Sequence, residues 1–210
     1  MIIASICGII VSKDGGVYFL SLLDNPCWLC NTPIAKVVIM TTKITFTVDK
    51  TKVYNAILYI MDKGIRHPYI ISKVLSKADV IHLNEYGRSI AGDVLLVEQH
   101  GTTPKNAKDI IMANWGVGDD FYSFEGQLNI DTLPLLDYLS GGDMAALNEA
   151  INIFRDKSVK EAEEINHNEF FWKKVKDAEL TEVPVEMMLK DGTDSKFYDF
   201  LVNFGPAIVY

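Results

Sequence analysis

The chain has 210 residues, which suits one domain with or without appended segments, and its apolar fraction of 49% is enough for a sizeable core. Twenty-eight acidic residues against twenty basic ones give a formal net charge of −8 at pH 7. This balance argues against binding of nucleic-acid phosphates by the chain as a whole. An acidic surface favours solubility, and it would also attract a basic protein partner.

The first 39 residues differ from the rest of the chain. Residues 1–39 are apolar, carry no net charge and contain all three cysteines. We interpret them as an upstream extension of the reading frame or a small accessory hairpin, because Met40 resembles an ordinary start. No basic residue precedes the apolar run 1–11, and this run is too short to cross a bilayer. We therefore expect a cytoplasmic protein without a membrane segment.

A Cys-x-x-Cys pair lies in this segment. Cys27 and Cys30 have the spacing of half a zinc site or of a redox pair. The sequence has no second pair of this kind, so Cys7 and a remote histidine would have to complete a metal site. Reduced, buried thiols are the favoured interpretation, and we expect no metal or other cofactor.

A strand and two helices are predicted next. Alternation over residues 44–48 suits a short strand, and Asp49 is placed to cap a helix over about 50–63. Gly64 ends that helix. Pro68 then starts the second helix, in the first turn where proline is tolerated.

The second helix is predicted to end at Tyr86, where Gly87 accepts the left-handed backbone that closes a helix. Its apolar residues follow the three-four spacing of a helix with one buried face. Residues 94–97 read as a short buried extended run. Pro104 opens a third helix over about 105–114.

The second half is predicted to contain a hairpin and further helices. Gly126 lies between two short alternating runs and suggests a small hairpin turn. Ser140 and Ser158 each precede an acid by three residues, which is the capping pattern of a helix start. His167 and Asn168 are expected to cap a last helix.

The predicted fold class is therefore mainly α (α+β), a compact bundle of five or six helices with a small β-hairpin or short sheet. No strand–helix alternation long enough for a dinucleotide fold is present. Residues 177–210 are less regular and have no predicted place in the bundle.

The sequence offers no recognisable catalytic set, and we expect no enzyme. The four histidines lie in separate segments, and no glycine-rich run has the spacing of a phosphate-binding loop. Asp79 and His82 lie one helical turn apart and are expected to hydrogen-bond as a structural pair, which is favoured over catalysis. Arg88 is expected to bind helix-end carbonyls or Asp93, with an anion clamp as the alternative. Trp172 and its aromatic neighbours are expected in the core, with a partner anchor as the alternative.

Two blocks of residues resemble the Panacea domain, the SocA-like family of phage-associated antitoxins. The first follows the pattern K-x-L-x-x-A-D-x-x-H-L-x-x-Y-G-R-x-I-x-G-D, and the residues that match it are Lys73, Leu75, Ala78, Asp79, His82, Leu83, Tyr86, Gly87, Arg88, Ile90, Gly92 and Asp93. The second block comprises an L-S-x-x-D-x-x-x-L-x-x-A helix over 139–150 and an ending at 167–172. The resemblance covers about residues 48–176. In this chain the Gly-Pro turn of the family is Gly101-Thr-Thr-Pro104, so its proline is displaced.

The resemblance implies an antitoxin domain over residues 40–176, flanked by the segments 1–39 and 177–210. It implies a function in neutralising a protein toxin, encoded by the adjacent gene, by occlusion or conformational locking. The alternatives are a phage or mobile-element accessory protein that binds a host factor, or an adaptor that delivers a toxin to a protease. An enzyme or a nucleic-acid binder is disfavoured. The candidate partner-binding or motif residues are Asp79, His82, Tyr86, Arg88, Asp93, Gly101, Pro104, His167 and Trp172.

Overall fold

The computed structural model describes residues 44–190 and, as backbone, two short strands in the N-terminal unit of residues 1–43. In that unit β1 (Ile9–Val11) and β2 (Val17–Phe19) form an antiparallel pair. The predictions about the three cysteines and about Met40 concern residues outside the described ones.

Within residues 44–190 the structure has six α-helices and a second antiparallel strand pair, which confirms a mainly α fold with a small hairpin. The elements are α1 (Lys50–Asp62), α2 (Pro68–Tyr86), β3 (Leu95–Glu98), β4 (Gly101–Pro104), α3 (Lys105–Trp115), α4 (Gly141–Phe154), α5 (Val159–His167) and α6 (Trp172–Asp177). Two single 3₁₀ turns cover Leu136–Tyr138 and Val185–Met188. No helix in this part of the chain combines the length and hydropathy needed to cross a membrane.

Local capping sets most helix ends, as predicted. The Asp49 carboxylate accepts a backbone N–H of the first turn of α1 at 3.0 Å. Ser140 and Ser158 each form a reciprocal capping box with the acid three residues later. Gly87 ends α2 with φ of 74°, in the left-handed region that glycine tolerates.

The strand pairing differs from the prediction. Residues 44–48 are irregular because no strand lies beside them, and the Ile44 N–H instead donates to the carboxylate of Glu186 at 2.9 Å. The predicted turn over Gly101–Pro104 is wrong, since these residues form β4 and the chain reverses just before them.

The hairpin predicted around Gly126 is also wrong. Residues 116–135 contain no strand, and Leu128 donates its N–H to the carbonyl of Arg66 at 2.8 Å rather than across a turn. Burial of Phe121 and Leu128 in the core holds this segment against the helices in place of strand pairing.

Helix α2 contributes to both hydrophobic clusters of this unit. The larger cluster joins α1, α2, α3 and α4, with α4 as the main neighbour of α2. The smaller cluster joins α2 and β3 to α6 and to residues 180–189, and it includes Phe171 and Trp172 as predicted for the core. Phe170, which was expected there as well, is instead 37% exposed. Residues 181–183 also bond to the free edge of β3, where the Val183 N–H donates to the Leu95 carbonyl at 2.8 Å.

Candidate functional site

The carboxylate of Asp143 lies at the centre of a buried charged cluster at the start of α4. Its oxygens are 2.7 Å from Lys52 Nζ, 3.1 Å from His82 Nε2 and 3.1 Å from Arg88 Nη2, and the Asp143 side chain is fully buried. The backbone N–H of Ser140 donates to the same carboxylate at 2.8 Å. We call these five residues the Asp143 centre.

The sequence places Asp143 where an anion is favoured. It is the third helical residue of α4, beside the unpaired N–H groups and the positive end of the helix. Burial alone would raise the pKa of Asp143, but contacts with His82, Lys52 and Ser140 outweigh burial and lower the pKa well below its usual range. Asp143 is therefore ionised at neutral pH and joins α1, α2 and α4.

The His82 ring is held between two acceptors. Its Nδ1 lies 2.9 Å from the carbonyl oxygen of Arg88, and its Nε2 contacts the Asp143 carboxylate. The Tyr86 ring covers His82 at a centroid distance of 4.6 Å, and a Cβ at Gly142 would lie 3.2 Å from Tyr86. The ring is fully buried, so this arrangement fixes the end of α2 against α4.

Asp79 does not pair with His82 as predicted. Its carboxylate accepts hydrogen bonds from the Ser89 hydroxyl at 3.0 Å and from the Ile90 N–H at 2.8 Å. Burial raises the pKa of Asp79 to about 6, although these two donors favour the charged form. The expected pair is wrong because the loop after α2 folds back and reaches Asp79 first.

Asp93 caps α3 and is not the carboxylate partner of Arg88. It accepts the backbone N–H groups of Asn106 and Ala107, both at 2.9 Å. The N-cap position itself is Pro104, which has no side-chain acceptor, so Asp93 supplies the cap from a distance. Arg88 pairs with Asp143 and also donates to the Ser140 hydroxyl at 3.2 Å.

A second buried charge lies on α2, two turns before the Asp143 centre. The side chain of Lys73 is 1% exposed, and its Nζ donates to the Thr102 carbonyl at 2.8 Å and to the Thr103 hydroxyl at 3.4 Å. The Tyr69 ring lies 4.5 Å from the same nitrogen. Burial lowers the pKa of Lys73 to about 7, although Glu98 and Glu163 act in the opposite direction. We call Tyr69, Lys73, Thr102 and Thr103 the Lys73 centre.

Gly101 is required beside the Lys73 centre. Its φ is +106°, and a Cβ there would collide with the Asn166 side-chain amide and lie 3.3 Å from Lys73 Nζ. The Asn166 amide oxygen accepts the Thr102 N–H at 2.7 Å, so it cannot easily move. The motif glycine therefore serves the packing of β4 against α5.

A cavity of about 190 Å³ adjoins the Lys73 centre. Two of its carboxylates share one cation: Lys108 Nζ lies 2.6 Å from Glu98 and 2.7 Å from Asp119. On the other wall His100 stacks on Tyr122. An amine with a pKa near 7 is a nucleophile or base when a reactant reaches it, and Lys73 lines this cavity although its side chain is only 1% exposed.

Of the remaining predicted residues, His167 and Trp172 belong to neither centre, and Pro104 follows Thr103 at the end of β4. His167 and Asn168 end α5 and do not cap α6 as predicted. The His167 ring instead stacks on Trp172 with centroids 4.5 Å apart. Pro104 pairs with Leu95 at the end of the hairpin. The structure thus brings His82, Tyr86 and Arg88 together, places Asp79 nearby, and disperses the other predicted residues.

Sequence reasoning missed the roles of Lys52 and Lys73 and the central position of Asp143. Asp143 was recognised only as a capping residue, and Lys73 only as a motif residue. The available signal was that both residues belong to the two motif blocks and lie on helix positions that face the protein core. A polar residue in such a position needs a hydrogen-bond or charge partner.

Four large apolar side chains are exposed just before α4. Leu133, Leu135, Leu136 and Tyr138 are 71%, 61%, 49% and 46% exposed, and we call them the apolar strip. The backbone beneath them is held, since the Leu135 N–H donates to the buried Asn55 amide oxygen at 2.7 Å.

Comparison of the chain with protein-family models, with curated proteins and with solved structures found no significant match. Among residues 44–190 no group of three or more His, Cys, Asp or Glu side chains is arranged to hold a metal ion. The resemblance to the Panacea domain therefore depends on the motif residues of this chain alone. The structural features that bear on the function of the chain are the two buried centres and the apolar strip.

Proposed function

We propose that this protein is a cytoplasmic antitoxin that neutralises a protein toxin, encoded by the adjacent gene, through direct contact. Neutralisation is by occlusion of the active surface of the toxin or by locking the toxin in an inactive shape. The chain itself carries out no chemistry.

The apolar strip is the observation that carries this proposal. Its four side chains fall within six consecutive residues and remain largely exposed, whereas a monomer usually shields large apolar side chains that lie together. Tyrosine on a fixed backbone is a suitable anchor for a protein partner, and the leucines beside it add apolar area that a partner can bury. Tyr86, which is 53% exposed beside Gly142, adds a second aromatic ring near the start of α4.

The Asp143 centre supports the same function in a positioning role. It fixes Ser140 and the first turn of α4 against α1 and α2, directly after the residues of the strip. The motif residues thus act as a scaffold, and the strip as a surface that this scaffold presents. Such a division suits a family whose shared domain is thought to meet many unrelated toxins.

Co-expression with the product of the adjacent gene tests the proposal. We expect growth arrest by that product to be relieved by this protein and the two to co-purify. The double variant Leu135→Asp/Leu136→Asp is expected to lose both effects while keeping its circular dichroism spectrum. Phe170→Asp, which changes an exposed aromatic residue on another segment, is the matched control and should retain them.

A toxic neighbour whose arrest persists in the presence of this protein would remove the proposal. A harmless neighbour together with specific binding of a host protein would favour the accessory-protein alternative. If the toxin is degraded only in cells that contain the protease to which it is delivered, the adaptor alternative would be favoured.

A further inference from the structure

The negative charge of this protein comes from one stretch of sequence. Residues 109–154 contain no Lys, Arg or His. Their acidic residues are Asp109, Asp119, Asp120, Glu125, Asp131, Asp137, Asp143 and Glu149. Removing these eight from the twenty-eight acidic residues leaves twenty, which equals the number of Lys and Arg in the chain. The formal charge of −8 is therefore the charge of this stretch.

The apolar strip lies inside this acidic stretch. Asp131 precedes the strip, Asp137 lies within it, and both are exposed. Asp143 is different, because it is buried and faces Lys52, Arg88 and the His82 ring. Asp131 and Asp137 are thus the exposed carboxylates of residues 131–138, a segment that itself supplies no positive charge.

We infer that the apolar strip takes a basic segment of a protein partner with an apolar face. Leucine and aromatic side chains of that segment pack on Leu133, Leu135, Leu136 and Tyr138, while its Lys or Arg side chains meet Asp131 and Asp137. If the proposed function holds, this segment belongs to the toxin. Complementary charge speeds association and excludes acidic partners, while apolar burial supplies most of the affinity.

Charge also decides among the possible occupants. A second copy of this chain would bring Asp131 and Asp137 against the same two residues, which opposes a symmetric contact. An anionic lipid surface would be repelled for the same reason. A basic protein segment satisfies both the apolar and the acidic part of the surface.

Titration with three synthetic peptides tests the inference. The probe is a 14-residue amphipathic helix of leucine and lysine, and the controls replace lysine by glutamate or leucine by serine. By isothermal titration calorimetry we expect the leucine–lysine peptide to bind at least about tenfold more tightly than either control, and more weakly as salt increases. Hydrogen exchange is expected to slow at residues 131–138.

Matched variants separate the effect of the carboxylates beside the strip from the effect of the net charge of the protein. Asp131→Asn/Asp137→Asn should weaken binding of the leucine–lysine peptide by about threefold and reduce its salt dependence. Asp156→Asn/Glu164→Gln removes the same charge from exposed positions elsewhere and should leave binding unchanged. Leu135→Ser/Leu136→Ser should abolish it.

Three results would overturn the inference. The lysine and glutamate peptides could bind equally well, or the two charge variants could have equal effects on binding. The third result is slower hydrogen exchange at residues other than 131–138. Dimerisation that protects the strip would assign it to a second copy, and binding to phosphatidylglycerol vesicles would assign it to lipid; either also overturns it. Toxin neutralisation that survives Leu135→Ser/Leu136→Ser would overturn this inference and leave the antitoxin proposal standing. Failure of the wild-type protein to neutralise would instead remove the proposed function, whatever the peptides show.

Discussion

Helix α2 lies against two buried charges that are stabilised in opposite ways. Asp143 has Lys52 Nζ, His82 Nε2 and Arg88 Nη2 within 3.1 Å, and its pKa is lowered. The Lys73 ammonium is held by a carbonyl and a hydroxyl, and its pKa falls to about 7. Burial favours the neutral form of any ionisable group, so contact with opposite charge decides which form persists. The Asp143 centre is therefore an ionic junction of three helices, whereas the Lys73 centre is a buried amine that partly loses its proton near pH 7.

The largest expected effect comes from removing the charge of Asp143. Asp143→Asn should lower the free energy of unfolding by about 3–5 kcal/mol, because it leaves the partly buried Lys52 and Arg88 facing a neutral amide. Urea denaturation at pH 7 measures the change. The control Asp137→Asn alters an exposed acid and should stay within about 0.5 kcal/mol of wild type. Similar losses in the two variants would contradict the ionic junction.

Lys73→Met is expected to stabilise the protein by about 1–4 kcal/mol at pH 6, because methionine fills the space without burying a charge. The Thr102 carbonyl keeps the Ser76 hydroxyl as a donor at 3.2 Å. Lys160→Met, at an exposed lysine, is the control and should change little.

The pH dependence gives the sign of the Lys73 effect. The folded pKa of Lys73, about 7, is below its ordinary value of 10.5, so the unfolded chain binds more protons between these two values. The stability of the wild type relative to Lys73→Met should therefore rise as pH increases from 7 to 10.5, and be lost as pH falls through 7. If the difference in free energy of unfolding between the two proteins stays constant from pH 7 to 10.5, the pKa of Lys73 is not lowered by burial.

Gly101→Ala should lower the free energy of unfolding by about 1–3 kcal/mol, because alanine is strained at this positive φ and its Cβ would collide with Asn166. Two glycines separate the causes. Gly64 has φ of +96° with open space at its Cβ position, and Gly118 has open space and no positive φ. In thermal denaturation we expect the largest loss of stability for Gly101→Ala, a smaller loss for Gly64→Ala and the smallest for Gly118→Ala. A Gly101→Ala variant no less stable than Gly64→Ala would mean that Asn166 gives way.

Arg88→Ala is expected to cost about 1 kcal/mol, since Asp143 keeps Lys52 and His82. The variant should stay folded and separates two roles for this motif residue. Neutralisation assays on the folded variant show whether Arg88 contacts the partner. Retained neutralisation fits the scaffold role proposed above, and a folded but inert protein would assign Arg88 to the binding surface.

Features that depend on neighbours in sequence were predictable. Asp49, Ser140 and Ser158 were recognised as caps because their partners lie three residues away. Gly87 was recognised as a helix end because its backbone conformation is a property of the residue itself. The hairpin predicted around Gly126 was wrong, because a strand exists only when another strand pairs with it, and residues 116–135 pack against helices instead.

The sequence by itself determined the helices, most of their ends and the place of the motif residues along α2, since these depend on interactions within a few residues. Only the tertiary structure decided which polar side chains meet. Asp143 reaches His82 and Arg88 across more than fifty residues, and Asp79 turns to Ser89 rather than to its helical neighbour. It also decided that the apolar strip stays in solvent, because leucines have the same pattern in sequence whether a core covers them or a partner does.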